Sequence, residues 1–318
     1  LSMWISNTAT VAMMLPLALS LLHQPEGKTP PSLYLFVLLG LAYSGNLGGI
    51  ATLIGSPPNA IAAAQMGLNF RDWLGWGVPM FLLLFPIMVL VLFLLLRPRF
   101  GSSLYFAYRP HPFDRPRFSV LLIFALTACG WLLSAPLSAW LGIDSGFDSL
   151  VAMLAVVLLT GSRSLSFEEF VAKTNWGILI LFAGGLTLSA LLQSTGASQW
   201  LATQISTNLP VDNNWLLLLI VCLFVIFLTE LVSNTASAAL LIPIFVSVAF
   251  ELQLSETGLA VMIALSASCA FMLPVATPPN AIVYSSGHEP QKEMMRAGLL
   301  LNLTLALVIS TIGWWLLS

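Results

Sequence analysis

The chain has 318 residues, of which 58% are hydrophobic and only 8% charged, with a formal net charge of −2. A soluble domain carries about 25% charged residues, so a solvated globular surface is excluded, and the mean hydropathy of +0.94 agrees. The small net charge points to no partner, nucleic acid included, because the charged residues fall in loops between apolar runs. Cys129, Cys222 and Cys269 sit in apolar segments without metal-ligand spacing and read as packed free thiols. His23, His111 and His288 are isolated near segment ends.

In chain order, the first feature is Ser6-Asn7-Thr8, followed by an apolar arm over 9–23 that contains Pro16. The chain opens on leucine with no basic leader, so it reads as starting inside a longer protein, with its N-terminal part missing. A helical segment over 31–67 follows, interrupted at Gly55-Ser56-Pro57-Pro58-Asn59-Ala60-Ile61. Residues 73–96 are long and apolar enough to cross a bilayer, which takes about 20 residues. An arginine-rich connector over 97–117 reads as lying at headgroup level. Further apolar helices are expected over 119–141, 148–161 and 176–195, then an amphipathic surface helix over 196–214. Residues 215–250 carry Ser233-Asn234-Thr235 at their middle. Residues 258–285 carry Ala276-Thr277-Pro278-Pro279-Asn280-Ala281-Ile282, and 297–317 form the last span.

Charge orders these elements. Lys28, Arg97, Arg99, Arg109, Arg115, Arg117, Arg163, Lys173, Lys292 and Arg296 cluster in loops assigned to the cytoplasm by the positive-inside rule. Keeping Lys292 and Arg296 inside requires 215–250 to enter and leave by one face, as a re-entrant hairpin with Ser233-Asn234-Thr235 at its tip. The two copies of Ser-Asn-Thr, each ten residues before a proline, and the two Pro-Pro-Asn-Ala-Ile breaks then define two repeats of opposite orientation. Inverted repeats with interrupted helices are the mark of a secondary transporter with its site near the midplane.

The chemistry of the motifs fits that placement. Pro-Pro removes two amide donors and frees upstream carbonyls, which in hydrocarbon need protein, water or an ion. Carbonyls with Ser, Thr and Asn oxygens suit a hard cation, while a helix N-terminus suits an anionic group. One copy of Ser-Asn-Thr is an ordinary helix cap; two copies in matched surroundings suit a dianion with two ends. No Lys, Arg or His lies in 1–20, 41–62, 228–245 or 264–284, so mobile cations must compensate the charge of a bound anion. Glu230, beside the second tip, has no acidic counterpart in the first copy and reads as satisfying backbone there.

These motifs, together with GGLTLSALLQSTGAS and SNTASAALLIPIF, resemble the divalent anion:sodium symporters over essentially the whole chain. The resemblance implies an all-α polytopic membrane protein with inverted-topology repeats, two re-entrant hairpins and broken helices, working as an elevator. It implies a first sodium among Ser2, Ser6, Asn7 and the Gly55 carbonyl. It implies a second among Thr229, Ser233, Asn234 and the Ala276 carbonyl. Substrate carboxylates would meet Asn7, Thr8, Ser56, Asn234, Thr235, Thr277 and Pro278. The expected organisation is a first transport unit (1–70), a helix and connector (71–118), scaffold helices (119–214), a second transport unit (215–296) and a last helix (297–318). The expected function is Na⁺-coupled import of C4-dicarboxylates such as succinate, malate and fumarate, without enzymatic chemistry, by a homodimer in the bacterial inner membrane in contact with its lipids. A dicarboxylate exchanger, or a sulfate or tricarboxylate carrier of the same family, is the alternative.

Overall fold

The computed structural model describes residues 1–22, 29–99, 115–143, 146–174, 176–208, 214–287 and 290–317. Most of the connector after Arg99, and with it Arg109 and His111, lies outside the described residues, as do His23, Lys28 and His288. Among the described residues the regular structure is entirely helical, and the protein is an all-α polytopic membrane protein. Cys129, Cys222 and Cys269 are free thiols, as expected.

The first half contains α1 (Asn7–Leu22), α2 (Pro31–Gly48), α3 (Pro57–Met66) and α4 (Phe70–Leu96), with a single 3-10 turn over Gly49–Ala51 between α2 and α3. The second half repeats this with α12 (Asn234–Glu251), α13 (Glu256–Ala267), α14 (Pro278–Tyr284) and α15 (Gln291–Leu317). From the breaks to the ends of α4 and α15 the halves align without a gap: Pro57 with Pro278, Phe70 with Gln291, Leu96 with Leu317. The equivalence therefore runs further along the chain than the motifs alone indicate.

Packing follows the same symmetry. Helix α1 lies on α2 and on α14, and α12 lies correspondingly on α13 and on α3. Helix α2 also packs on α14, and α13 on α3. The halves are thus interleaved, each covering the other's broken helix. One buried apolar cluster runs through both, from Val11, Leu38 and Leu47 to Leu84, Ile242, Phe271 and Leu305.

Helix α11 (Asn214–Thr229) joins α12 through Glu230–Ser233. Leu217 and Leu218 at its start line one small cavity with Phe245, Val248 and Leu252 near the end of α12. The arms therefore run antiparallel, with Ser-Asn-Thr at the turn, which is the hairpin geometry that the charge pattern requires.

The middle of the chain is α5 (Arg115–Leu132), α6 (Ser134–Leu141), α7 (Phe147–Gly161), α8 (Phe167–Lys173), α9 (Trp176–Ser194) and α10 (Ala197–Asn208). The apolar run 119–141 is not one straight span: it bends by 80° between α5 and α6, at Leu133. Ser134, the first residue of α6, is buried at this corner. Helix α7 buries none of its residues, and Leu150, Met153, Leu154 and Val157 are exposed apolar side chains. In a bilayer such a surface faces lipid or another subunit at no hydrophobic cost.

The start of α4 is tied to this middle region. Asn69 and Asp72 form a reciprocal capping box, and the Phe70 amide donates to Asp148 Oδ2 of α7 at 2.7 Å.

Candidate functional site

The Ser-Asn-Thr copies are locally identical. Ser6 Oγ accepts the Ala9 amide and Ser233 Oγ accepts the Ala236 amide, each at 3.2 Å. Each serine therefore caps its helix, leaving the following Asn and Thr as the first residues of α1 and α12.

The breaks are also equivalent. In the first, Asn59 Nδ2 donates to the carbonyls of Gly49 at 2.8 Å and Thr52 at 2.7 Å. In the second, Asn280 Nδ2 donates to Ala270 at 3.0 Å and Leu273 at 3.1 Å. The Gly55 amide bonds to Thr52 and the Ala276 amide to Leu273, each at 3.2 Å. Ser56 and Thr277 both adopt extended backbone, with φ of −148° and −141°. The asparagine of each Pro-Pro-Asn is therefore the group that collects carbonyls freed by the break. The motif chemistry assigns those carbonyls to protein, water or ions; side-chain amides take several of them.

What remains is specific. A Cβ built on Gly49 would stand 2.6 Å from Asn7 Oδ1 and 2.9 Å from the Gly55 carbonyl oxygen, so those two oxygens flank one point. A Cβ on Gly48 would collide with Ser2 Oγ, and Ser2 is buried. The glycines keep this space open. Asn7 Oδ1 is buried there with no hydrogen-bond partner, in a class of atom that is almost always paired. Of the residues expected around the first cation, Ser2, Asn7 and Gly55 converge, while Ser6 is spent on its cap.

In the second half Thr229 Oγ1 donates to Asn234 Oδ1 at 2.8 Å and lies 3.1 Å from the Ala267 carbonyl. Ala276 is buried in its turn, and no hydrogen bond joins it to Asn234. These oxygen-only sets suit a small hard cation. No cluster of three His, Cys, Asp or Glu occurs among the described residues.

The halves meet at this point. A Cβ on Gly45 of α2 would lie 3.7 Å from the Asn7 carbonyl oxygen and 3.9 Å from Pro279 Cβ, which places the first tip against the second break. Thr8 and Pro278 are exposed, Thr235 is half-buried, and Ser56 and Thr277 are buried. A family model described as a citrate transporter matches residues 1–255 and 211–318.

The chain belongs to the citrate transporter family.

This carrier is 46% identical to an uncharacterized transporter of Haemophilus influenzae, over 99% of the chain and 70% of the relative. It is 39% identical to an uncharacterized transporter of Methanocaldococcus jannaschii, over 98% of the chain and 70% of the relative. It is also 32% identical to the sodium-dependent dicarboxylate transporter SdcS of Staphylococcus saprophyticus, over 99% of the chain and 67% of the relative. The resemblance carried by the motifs therefore holds, and the protein is a transporter rather than an enzyme.

Three features of the carrier's site refine or extend the motif reading. Glu230 is buried, and its Oε1 accepts the amides of Phe271 at 2.7 Å and Met272 at 2.9 Å and the Asn302 Nδ2 at 2.7 Å. Its Oε2 accepts the Leu273 amide at 3.0 Å. The expected backbone-satisfying role is present, directed at the second break rather than at the hairpin turn. Second, Tyr43 of α2 donates from its hydroxyl to the Phe271 carbonyl at 2.8 Å, reaching from the first half into the second. Third, Asn46 of α2 reaches the second break as well. The signal for the last two is a polar side chain one turn ahead of a break, in the Tyr43-Ser44-Gly45-Asn46 stretch.

Proposed function

We propose that the protein is a sodium-coupled importer of C4-dicarboxylates, with citrate-like tricarboxylates as the second substrate class to test. The observation that carries this reading is the buried, unpartnered Asn7 Oδ1 facing the Gly55 carbonyl across a space kept open by glycine. A sodium ion supplies the positive partner that this oxygen lacks. The equivalent Thr229–Asn234 pair supports a second ion in the other half. Sodium-dependent relatives support the same coupling.

In this reading each Asn is shared. Its side-chain oxygen turns to sodium, and the helix N-terminus it opens turns to a carboxylate. The substrate contacts are Asn7, Thr8 and Ser56 from one half and Asn234, Thr235, Thr277 and Pro278 from the other. The sodium ligands are Ser2, Asn7 and the Gly55 carbonyl, then Thr229, Asn234 and the Ala276 carbonyl, while Ser6 and Ser233 cap the helices that present the two asparagines. With no Lys, Arg or His in these segments, a dianion binds well only after sodium has bound, and that order is the coupling. Each net positive charge carried inward gains about 2.3 kcal/mol per 100 mV.

Residues 1–70 and 215–296 then move as the transport unit of an elevator. The outward-facing α5–α8 contribute to the scaffold of a homodimer in the inner membrane. The test is succinate uptake into proteoliposomes holding the full-length protein, with and without an inward sodium gradient. Uptake that rises with the gradient supports the reading. Equal uptake in sodium-free buffer refutes it, and sodium-driven uptake of citrate but not of succinate reassigns the substrate.

A further inference from the structure

The two ends of the candidate anion site are built differently, and the difference traces to Asn46. Asn280 donates both its amide hydrogens to break carbonyls, at Ala270 and Leu273. Its orientation is thereby set, and its Oδ1 faces Asn46, whose Nδ2 lies 3.4 Å away. Asn46 Nδ2 is directed at acceptors only: Asn280 Oδ1, the Ala270 carbonyl at 3.5 Å, and Thr277 Oγ1 at 3.1 Å. Thr277 Oγ1 also accepts the Asn280 backbone amide at 3.3 Å.

A threonine hydroxyl has two acceptor positions and one hydrogen to donate. In Thr277 both acceptor positions are filled, by Asn46 and by the Asn280 amide. Its hydrogen donates to nothing among the described residues and is left for a ligand acceptor. A buried hydroxyl polarised in this way offers an anion a hydrogen without first reorienting.

The first half lacks this chain of bonds. The position equivalent to Asn46 is Ala267, which has no donor. Asn59 collects its carbonyls as Asn280 does, but its Oδ1 is buried with no partner. Ser56 makes no side-chain capping bond.

Building on the sodium–dicarboxylate reading, we infer that Asn46 is a positioning residue that makes Thr277 a dedicated donor to one substrate carboxylate. The anion site is therefore polar end to end: one carboxylate meets a hydroxyl with a fixed direction, and the other meets Ser56, which is free to turn.

The experiment measures succinate and sodium binding separately in purified full-length protein, by the rise in unfolding temperature on titrating each ligand. Asn46→Ala is expected to weaken succinate binding about tenfold in saturating sodium, with sodium-induced stabilisation in the absence of succinate unchanged. Thr277→Val is expected to weaken succinate by a similar factor, and the double variant to be no weaker than Thr277→Val alone. Asn46→Leu, which fills the volume without a donor, takes the place of Asn46→Ala if that protein does not accumulate. Unchanged succinate binding in the Asn46 variant, or a further tenfold loss in the double variant, overturns the inference. Loss of sodium stabilisation in the Asn46 variant overturns it also, since the residue would then act on the fold. If wild-type protein shows no sodium stabilisation, or Thr277→Val binds succinate normally, the underlying site reading fails instead.

Discussion

Gly77 on α4 and Gly298 on α15 occupy the same place in the two halves, and each brings its helix against the backbone of that half's break. A Cβ on Gly77 would stand 2.6 Å from the Ile50 carbonyl oxygen and 2.7 Å from that of Ala51. A Cβ on Gly298 would run into the Phe271 carbonyl and lie 2.5 Å from Met272 Cα. The obstacles are mostly backbone, so neither position can relax by turning a side chain.

Gly298→Ala and Gly77→Ala are therefore expected to destabilise, by about 1–3 kcal/mol for overpacking. Gly75 also lies on α4, but a Cβ there would meet nothing within 4 Å; Gly75→Ala serves as the control and is expected to be neutral or slightly stabilising. Unfolding temperatures of the three variants in detergent check the contrast.

Asn7→Ala and Asn234→Ala test the cation reading, since each removes the oxygen assigned to one ion. Sodium bound at 100 times its dissociation constant adds about 2.7 kcal/mol of stability per site. Each variant is expected to lose part of the sodium-dependent rise in unfolding temperature and all succinate binding. Normal succinate affinity in either one means that the tips do not serve both ligands.

Glu230 is bonded only to donors, three consecutive amides and Asn302 Nδ2. Glu230→Ala strands all four in the protein interior, and its cost is expected to reach about 3–5 kcal/mol. Asn302→Leu removes only one donor and is expected to cost about 1–2 kcal/mol. The accumulation of folded protein in membranes, followed by size-exclusion profiles, separates the two. A Glu230→Ala protein as stable as wild type refutes the clamp.

Ser6→Ala and Ser233→Ala remove equivalent caps, each worth about 1 kcal/mol. The two losses are expected to be equal within a few tenths and to leave succinate affinity nearly unchanged, because both hydroxyls are engaged by their own helices. Thermal unfolding with succinate titration checks both points.

The all-helical membrane architecture was legible in hydropathy, and the repeats in two pairs of short motifs. Charge parity alone led to the antiparallel α11–α12 hairpin. Three things were legible only in part or not at all. The 80° bend at Leu133 lies in a run apolar enough to read as one span; its signal is Pro136 in the first turn of α6, where proline costs no helical hydrogen bond, with Gly130 shortly before the corner. The gapless match of α4 with α15 is hidden because lipid-facing positions accept any apolar residue; apart from four leucine pairs, only Gly77 and Gly298, pressed against backbone, keep their identity. The polar stretch Tyr43–Asn46 marks two side chains that need partners, but that those partners lie in the other half depends on how the halves interleave, which no local pattern encodes.

That interleaving governs how the carrier can be made. Helix α1 needs α14 as its cover, and α3 needs α12 and α13. When the first four helices have been inserted, none of these partners has yet left the ribosome. The space around Asn7 then lacks Pro279, and the surface of α3 stays bare until residues 234–284 have been synthesised. The two-ended binding centre is thus complete only once α14 has been made, and synthesis halted before it leaves a membrane-inserted chain that holds the first break but lacks the second.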